Sequence, residues 1–381
     1  MKLSTLRYTA SKGWEVPFPA LDSPQTLVIV FGSPKFLDEP DRVQELTRAY
    51  PTSHIVGCST AGEILGTEIT DDSLVVAITR FDATTLASVT LPIWEGGDSF
   101  QVGVDIAQKL TNPQLKGVMV LSEGVIINGT QLIAGLNSVL PPSIVITGGL
   151  AGDGPRFERT WIIKDGKPRS GFVSAVGLYG DNVRIGHGSQ GGWDTFGKEY
   201  RITKSKDNIL YEIDHMPALQ LYKIYLKDRA TELPASALLF PLALRAQADD
   251  EKQIVRTVLG IDESRQSMTF AGDMPEGYLA QFMSANFDHL VQGAAEAALM
   301  TRVNAHQTPT LLVAISCVGR RLVLKERTKD ELDVVFNVLP RFVKQIGFYS
   351  YGEISPYGTG VCELHNQTMT LTAISEPGFG E

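Results

Sequence analysis

The stretch PTSHIVGCSTAGE at residues 51–63 decides the fold, because two similar stretches recur later in the chain. They are PPSIVITGGLAGD at residues 141–153 and PRFVKQIGFYSYGE at residues 340–353. Each copy runs from a proline through a short apolar segment to small residues, a glycine and an acid. The proline and the acid lie 12, 12 and 13 residues apart. This spacing, with matching flanks, indicates an internal repeat.

The chain before each of the three prolines repeats as well. Apolar residues at helical spacing precede the proline, which predicts an amphipathic helix that ends there. Each helix follows a continuous apolar run, at residues 27–31, 117–121 and 311–316. These runs are short enough to be strands buried on both faces of a sheet. In the third helix, Thr328 and Glu331 have the spacing of a capping box. The sequence therefore predicts three units of strand, helix, strand and tight turn.

The length of 381 residues predicts two domains, because one hydrophobic core seldom serves so long a chain. We expect an α/β protein of mixed β-sheets flanked by helices, built from the repeated units and antiparallel hairpins. Residues 1–24 contain several prolines and predict an irregular N-terminal arm or an edge strand. A helix that starts near Pro217 divides the rest into an N-terminal domain at 25–213 and a C-terminal domain at 214–381. The glycine-rich segment Gly188–Gly197 predicts a surface loop.

Composition narrows the class of protein. The chain is 43% hydrophobic and 20% charged, which is ordinary for a globular protein. A net charge of −9 without a basic cluster disfavours nucleic acid and anionic lipid as partners. No apolar run approaches the length of a membrane span and no signal peptide is present, so we expect no membrane insertion and no export. The spacing of Cys58, Cys317 and Cys362 predicts a reducing, cytoplasmic location and argues against structural zinc.

The three turns are the candidate binding site. Small residues let a ligand approach backbone N–H groups, and successive amides in such a turn can bind an anion. The acids could hold an ammonium group, so a carboxylate or amino-acid ligand would suit the turns. Alternatively, the glycines allow close packing between repeats, the acids cap the next element and the tyrosines fill the core. The candidate residues are Gly57, Cys58, Ser59, Thr60, Gly62, Glu63, Gly149, Gly152, Asp153, Tyr349, Tyr351 and Glu353.

Cys58 follows a predicted strand, as a nucleophile would, and a cysteine-dependent enzyme is one alternative function. His54 lies on the same strand, but strand rise places it about 13 Å away, beyond hydrogen-bond reach. The chain contains no GxSxG, HExxH or GxxxxGKS motif. The other two copies of the turn carry no thiol at this position. We therefore expect a buried, inert cysteine in a protein that is not an enzyme.

Several stretches resemble one known family, the FIST proteins. Those that resemble its N-terminal domain are GCSTAGEI (57–64), GGLAGDG (148–154) and HGSQGGWDTFG (187–197). Those that resemble its C-terminal domain are ALLFPLAL (237–244), GDMPEG (272–277) and GFYSYGEISP (347–356). The resemblance covers about residues 25–375. It implies a bacterial sensory protein that binds a small ligand and, lacking an output element of its own, signals through a protein partner.

The resemblance also implies an alternative ligand, haem. Some standalone FIST proteins, called NosP, are described as haem proteins that respond to nitric oxide and regulate a partner histidine kinase. A b-type haem needs an axial ligand on an apolar wall but no fixed motif, whereas the absence of CxxCH excludes covalent attachment. The better candidates for that ligand are His187 and His365, followed by His215. For each, a hydrogen-bonded structural histidine is the competing interpretation.

Overall fold

The computed structural model describes residues 1–250, 253–303, 308–357 and 360–377. These residues form four β-sheets flanked by helices, as the sequence predicts. None of the described helices combines the length and the apolar character that crossing a membrane requires. The α-helices are α1 (Asp41–Ala49), α2 (Ser99–Leu110), α3 (Gly129–Val139), α4 (Ala218–Leu226), α5 (Phe287–Met300), α6 (Val318–Leu324) and α7 (Thr328–Val338).

Each of the three predicted units supplies a parallel strand pair to a different sheet. The first sheet runs β12 (Lys167–Arg169), β11 (Ile162–Lys164), β4 (His54–Ser59), β3 (Thr26–Gly32), β7 (Ser73–Arg80), β1 (Lys2–Thr9) and β2 (Gly13–Trp14). Its parallel pair is β3 and β4, which α1 connects. Val43 and Leu46 of α1 are fully buried in the core on one face of this sheet.

The second and third sheets repeat this plan. The second runs β26 (Cys362–His365), β25 (Gly352–Pro356), β10 (Val145–Leu150), β9 (Leu115–Ser122), β13 (Phe172–Tyr179) and β8 (Thr85–Pro92). The third runs β14 (Arg184–Gln190), β27 (Met369–Ser375), β23 (Thr310–Cys317), β24 (Val343–Ser350), β5 (Glu63–Leu65) and β6 (Glu68–Thr70). Strands β9 and β10 are parallel across α3, and β23 and β24 are parallel across α6 and α7. The three predicted strand-helix-strand units are confirmed.

The strand that follows each turn pairs with a neighbouring unit. After the first turn, β5 pairs with β24 of the third unit. After the second turn, β11 pairs with β4 of the first unit. After the third turn, β25 pairs with β10 of the second unit. The exchange is cyclic, so the three units form a pseudo-threefold arrangement in which no unit closes its own sheet.

The fourth sheet has eight strands and a separate aromatic core with α4. It contains β19 (Ile254–Arg256), β18 (Leu242–Arg245), β22 (Leu279–Ala285), β15 (Trp193–Lys206), β16 (Ile209–Ile213), β21 (Ser267–Phe270) and β20 (Val258–Asp262), with β17 (Met216–Pro217) paired to β16. The boundary placed between residues 213 and 214 follows the motifs along the chain. Strand pairing crosses it, because β15 and β16 lie before the boundary and the other strands of this sheet lie after it.

Of the two alternatives predicted for residues 1–24, an irregular arm or an edge strand, the structure has a strand near the edge of its sheet, whereas the glycine-rich segment differs from its prediction. Residues 1–24 include β1, which pairs with β7 along its whole length. The surface loop predicted at Gly188–Gly197 is wrong, because these residues end β14 and begin β15. The glycines serve close packing, since a Cβ on Gly188 would lie 1.9 Å from the Ala297 carbonyl oxygen of α5.

Candidate functional site

The first turn lies between the second and third turns. The Ala61 N–H donates to the Tyr349 carbonyl at 2.8 Å, and the Tyr349 N–H donates to the Gly62 carbonyl at 2.9 Å. On the other side, the Gly152 N–H donates to the Ser59 carbonyl at 3.0 Å. The cyclic strand exchange thus brings the three repeated turns into direct backbone contact.

Glu63 of the first turn is held by donors of the chain itself. Its carboxylate accepts the Thr60 hydroxyl, the Ser73 N–H at 3.0 Å and the Ser73 hydroxyl at 2.8 Å. The side chain is 1% exposed. Burial raises its pKa to about 7, although the hydrogen bonds from Thr60 and Ser73 act in the opposite direction. This acid ties the turn to the start of β7.

Glu353 of the third turn repeats the arrangement. Its carboxylate accepts the Ser350 hydroxyl at 2.6 Å, and from Thr368 the N–H at 3.2 Å and the hydroxyl at 3.0 Å. The side chain is fully buried, and burial raises its pKa to about 8 against the effect of these bonds. The contacts of Glu63 and Glu353 match the interpretation in which the acids cap the next element.

Asp153 of the second turn organises the loop that follows it. Its carboxylate accepts the backbone N–H groups of Phe157, Glu158 and Arg159, together with the Tyr351 hydroxyl. The Tyr351 ring stacks on Phe157 with centroids 4.2 Å apart. Burial and the bond to Asp153 raise the pKa of the Tyr351 hydroxyl. This pair therefore joins the second turn to the third.

The predicted residues of the first turn divide into two groups. Cys58 is fully buried, and burial raises the pKa of its thiol well above the usual value, which disfavours a nucleophilic thiolate. The buried Ser59 hydroxyl accepts the Trp161 N–H at 3.0 Å. A Cβ on Gly57 would lie 2.4 Å from the Val30 carbonyl oxygen, so this glycine serves sheet packing. The later residues of the turn are buried as well, but they lie at the edge of a cleft.

The glycines of the second turn, and Tyr349 of the third, also lie in packed surroundings. A Cβ on Gly149 would lie 2.9 Å from the Ile315 side chain, and one on Gly152 would lie 3.0 Å from the Ala61 nitrogen. Tyr349 is fully buried and its hydroxyl donates to Glu331. These positions match the packing interpretation of the turns.

A cleft of about 790 Å³ opens beside the first turn. Thr60, Gly62 and Glu63 line it on one side, and Arg156 lines it beyond the second turn. Helix α6 and the start of α7 form the opposite wall, where Arg321 lies. A Cβ on Gly62 would lie 2.3 Å from the Arg321 guanidinium, so glycine is required there for the arginine to reach the turn. Three of the predicted site residues therefore meet at one cleft.

Arg321 is the central side chain of this cleft, and the sequence-based search missed it. It donates to both carboxylate oxygens of Asp71 at 2.8 Å and to the Ala61 carbonyl at 2.6 Å. The pair raises the pKa of Arg321 and lowers that of Asp71. The sequence feature that could have pointed to Arg321 is the pair Arg320-Arg321 within an apolar helix, because two adjacent arginines on a short buried helix need hydrogen-bond acceptors.

The neighbouring Arg320 explains why the predicted capping box is wrong. Arg320 and Glu331 are both fully buried, with guanidinium to carboxylate distances of 3.0 and 2.9 Å. Glu331 also accepts the Ser316 hydroxyl at 3.1 Å. The Thr328 hydroxyl donates instead to the carbonyls of Arg321 and Lys325. A buried guanidinium needs a counter-charge, so Glu331 turns inward and leaves the helix start.

The three candidate histidines lie in different surroundings. His187 lines a second cleft, of about 870 Å³, together with Met300 and Arg302. Burial, and then Arg302, lower its pKa. His365 is buried, with its Nε2 2.9 Å from the Ser355 carbonyl oxygen. His215 is exposed on the turn between β16 and β17. Within the described residues, no group of three His, Cys, Asp or Glu side chains could hold a metal ion.

Family models match nearly the whole of this architecture. The FIST N domain matches residues 26–216, and the FIST C domain matches residues 218–356. The chain belongs to the FIST family. FIST domains are associated with sensory signal transduction and ligand binding. No curated protein matches the sequence. The cleft beside the first turn lies between the two FIST parts, because Thr60 to Glu63 belong to FIST N and Arg321 belongs to FIST C.

Proposed function

We propose that this FIST protein senses a small molecule with a carboxylate group, such as an amino acid, in the cleft beside the first turn. It binds this ligand without transforming it. The observation that carries the proposal is the joint lining of the cleft by Thr60 to Glu63 of FIST N and Arg321 of FIST C. A ligand there contacts both parts of the chain, which is where a binding event can alter their arrangement.

The charges of the cleft favour a ligand with both an anionic and a cationic group. Its cationic side chains are Arg156, Arg321, Lys325 and Lys329, and its acidic ones include Asp71, Asp72 and Glu326. Arg156 has only a loose ion pair, its Nε lying 3.7 Å from Asp153, and its side chain is half exposed. It can therefore turn toward a ligand carboxylate at little cost. An amino acid would place its carboxylate near Arg156 and its ammonium near the acids.

The pair between Arg321 and Asp71 offers a way to transmit binding. It joins α6 of FIST C to the turn between β6 and β7 of FIST N. A ligand carboxylate that competes for Arg321 releases Asp71 and this turn. The ligand shifts the equilibrium only by its difference in affinity for the joined and released states. A partner protein, a histidine kinase or another signalling protein, would read the change. The cytoplasmic location stays a prediction.

Thermal unfolding with a panel of amino acids and small dicarboxylates tests this proposal. We expect at least one compound to raise the melting temperature, because a ligand that binds only the folded state stabilises it. Arg156→Gln should weaken that compound's binding about tenfold, as the loss of a charged hydrogen bond does. The matched control is Arg159→Gln, an exposed arginine that pairs with Asp38. Equal binding by Arg156→Gln and the wild type would contradict the proposed site.

Haem is a second candidate ligand, and the position of His187 favours it. Of the three candidate histidines, His187 is the one that lines a large cleft, with Met300 on the same wall. Its lowered pKa keeps the imidazole neutral, as an iron ligand must be. Bound there, the iron would supply a coordination site for a gas such as nitric oxide.

Haem titration followed by absorption spectroscopy tests this second candidate. The wild type should give a Soret band that shifts on adding nitric oxide, and His187→Ala should lose it. The control is His289→Ala, because His289 is exposed and pairs with Asp194 at 2.9 Å. A wild-type protein that stays colourless in excess haem would rule out the haem function.

A further inference from the structure

We propose that the cleft around His187 is a second ligand site, which takes an amphipathic carboxylate by its charge and apolar surface, without iron. The cleft lies on β14, the last strand of its sheet, between the end of α5 and Pro356 at the end of β25. It lies apart from the cleft beside the first turn and shares none of its described lining residues. The inference therefore goes beyond the amino-acid sensing proposed above, and it assigns this cleft an occupant other than the haem considered there.

The position of the cleft follows from the glycines of β14. A Cβ on Gly186 would lie 2.0 Å from the Thr301 carbonyl oxygen, and one on Gly188 would lie 1.9 Å from that of Ala297. Only glycines let the end of α5 approach the strand so closely. The C-terminal end of α5 therefore packs directly on β14, and residues 300–303 line the cleft.

The charge of the cleft is positive although the chain carries a net charge of −9. Arg184 and Arg302 line it, and its described lining residues include no aspartate or glutamate. Arg302 is exposed and makes no hydrogen bond or ion pair within the described residues. Arg184 donates to the carbonyls of Asp181 and Val183 through Nη1 only, which leaves Nη2 free for a ligand. Asp181, the acid near Arg184, forms its ion pair with Lys116, so both guanidinium groups of the cleft can select an anion.

A buried polar atom also points to a ligand. Ser189 is among the residues that line the cleft, and its hydroxyl oxygen is buried without a hydrogen-bond partner in the described residues. Buried hydroxyl groups are rarely left unsatisfied in folded proteins. The His187 ring on the same face of β14 likewise makes no hydrogen bond within the part of the chain that the structure describes. A bound carboxylate or hydroxyl group would offer the half-buried His187 ring a hydrogen-bond partner.

The rest of the lining determines what kind of uncharged part the ligand can have. Its apolar residues are Ile185, Met300, Val303, Pro356, Ala373 and Pro377, and hydroxyl-bearing residues lie among them, namely Thr301, Thr308, Thr310 and Ser375. A volume of about 870 Å³ lies within the usual range for small-molecule sites. A ring system or a medium-length alkyl chain would bury against this wall, and its carboxylate would reach the arginines. The shared chemistry is an apolar body with one negative group.

Calorimetric titration with 2-naphthoate and with its neutral analogue 2-naphthamide tests the site. Naphthoate should bind at least tenfold more tightly than naphthamide, and high salt should weaken naphthoate alone. Arg302→Gln and Arg184→Gln should each weaken naphthoate about five- to tenfold and leave naphthamide unchanged. Decanoate is then added as a competitor. If it displaces naphthoate, the site also takes alkyl carboxylates; if it does not, the site selects aromatic carboxylates.

Matched variants separate this site from the others. Arg169→Gln, an exposed arginine on β12, and Arg156→Gln in the cleft beside the first turn should both bind naphthoate like the wild type. Equal affinities for naphthoate and naphthamide, or no binding of either, would overturn the inference. Wild-type affinity in both Arg302→Gln and Arg184→Gln would overturn it too, as would loss of naphthoate binding in Arg156→Gln.

Discussion

Glu63 and Glu353 show at the residue scale how the repeat is used. Each acid follows a small-residue turn, accepts a hydroxyl from three residues earlier, and accepts both the N–H and the hydroxyl of a later residue. Both are buried, and their pKa values are raised to about 7 and about 8. The repeated acids therefore have the same geometry at two places in the molecule, and the proposed function assigns the ligand carboxylate to arginines beside the first of them.

The raised pKa values predict a loss of stability with rising pH. Between about 4.5 and 8 the folded state keeps the Glu353 proton, whereas the unfolded chain has lost it. The free energy of unfolding therefore falls as pH rises through this window, by up to about 1.4 kcal/mol per pH unit for this group. Glu353→Gln should remove this part of the slope. Denaturant titrations at several pH values from 5 to 8 measure it.

The comparison with the variant is needed because other groups titrate in the same window. His54 and His187 have lowered pKa values, so their contribution to stability rises with pH. Subtracting the variant from the wild type leaves the Glu353 contribution. The exposed Glu158→Gln is the control and should keep the wild-type slope. A Glu353→Gln slope identical to that of the wild type would show that the buried acid does not carry the raised pKa.

At the scale of elements, patterns of neighbouring residues predicted the helices and strands whose formation depends on neighbouring residues. The apolar runs, the prolines and the helical spacing predicted all three units, because each unit is contiguous in the chain. Pairing of β5 with β24 brings together residues far apart in sequence, and no local signal marks it. The glycines of residues 188–197 were predicted to form a loop, because a glycine-rich sequence does not distinguish a surface loop from a strand that packs closely on a helix.

The candidate site was predicted in part for the same reason. Thr60, Gly62 and Glu63 lie within the repeat and were found by it, and the structure places them on the cleft. Arg321 comes from a helix between repeats, outside the pattern, and its role depends on contact with Asp71 across the fold. Residues that act through tertiary contact need the fold before they can be recognised.

At the scale of the whole molecule, the two FIST parts are interleaved. FIST N supplies β5, β10 and β14, and their partners β24, β25 and β27 all come from the later part of the chain. The eight-stranded sheet also combines strands from both. Each part therefore leaves strand edges and apolar faces uncovered without the other.

This interleaving predicts how the chain behaves when it is divided at the family boundary. A piece of residues 1–217 lacks β24, β25 and β27, which leaves β5 paired only with β6, β10 only with β9 and β14 unpaired. We therefore expect no cooperative unfolding transition and reduced amide protection in those strands. Residues 218–381 alone should behave likewise. When both pieces are expressed together, pairing across the boundary should restore the protection seen in the intact chain, which is the control. If the 1–217 piece unfolds cooperatively by itself, with β5 and β10 protected, the prediction is contradicted. Strand pairing across the boundary would then contribute little to the stability of this piece.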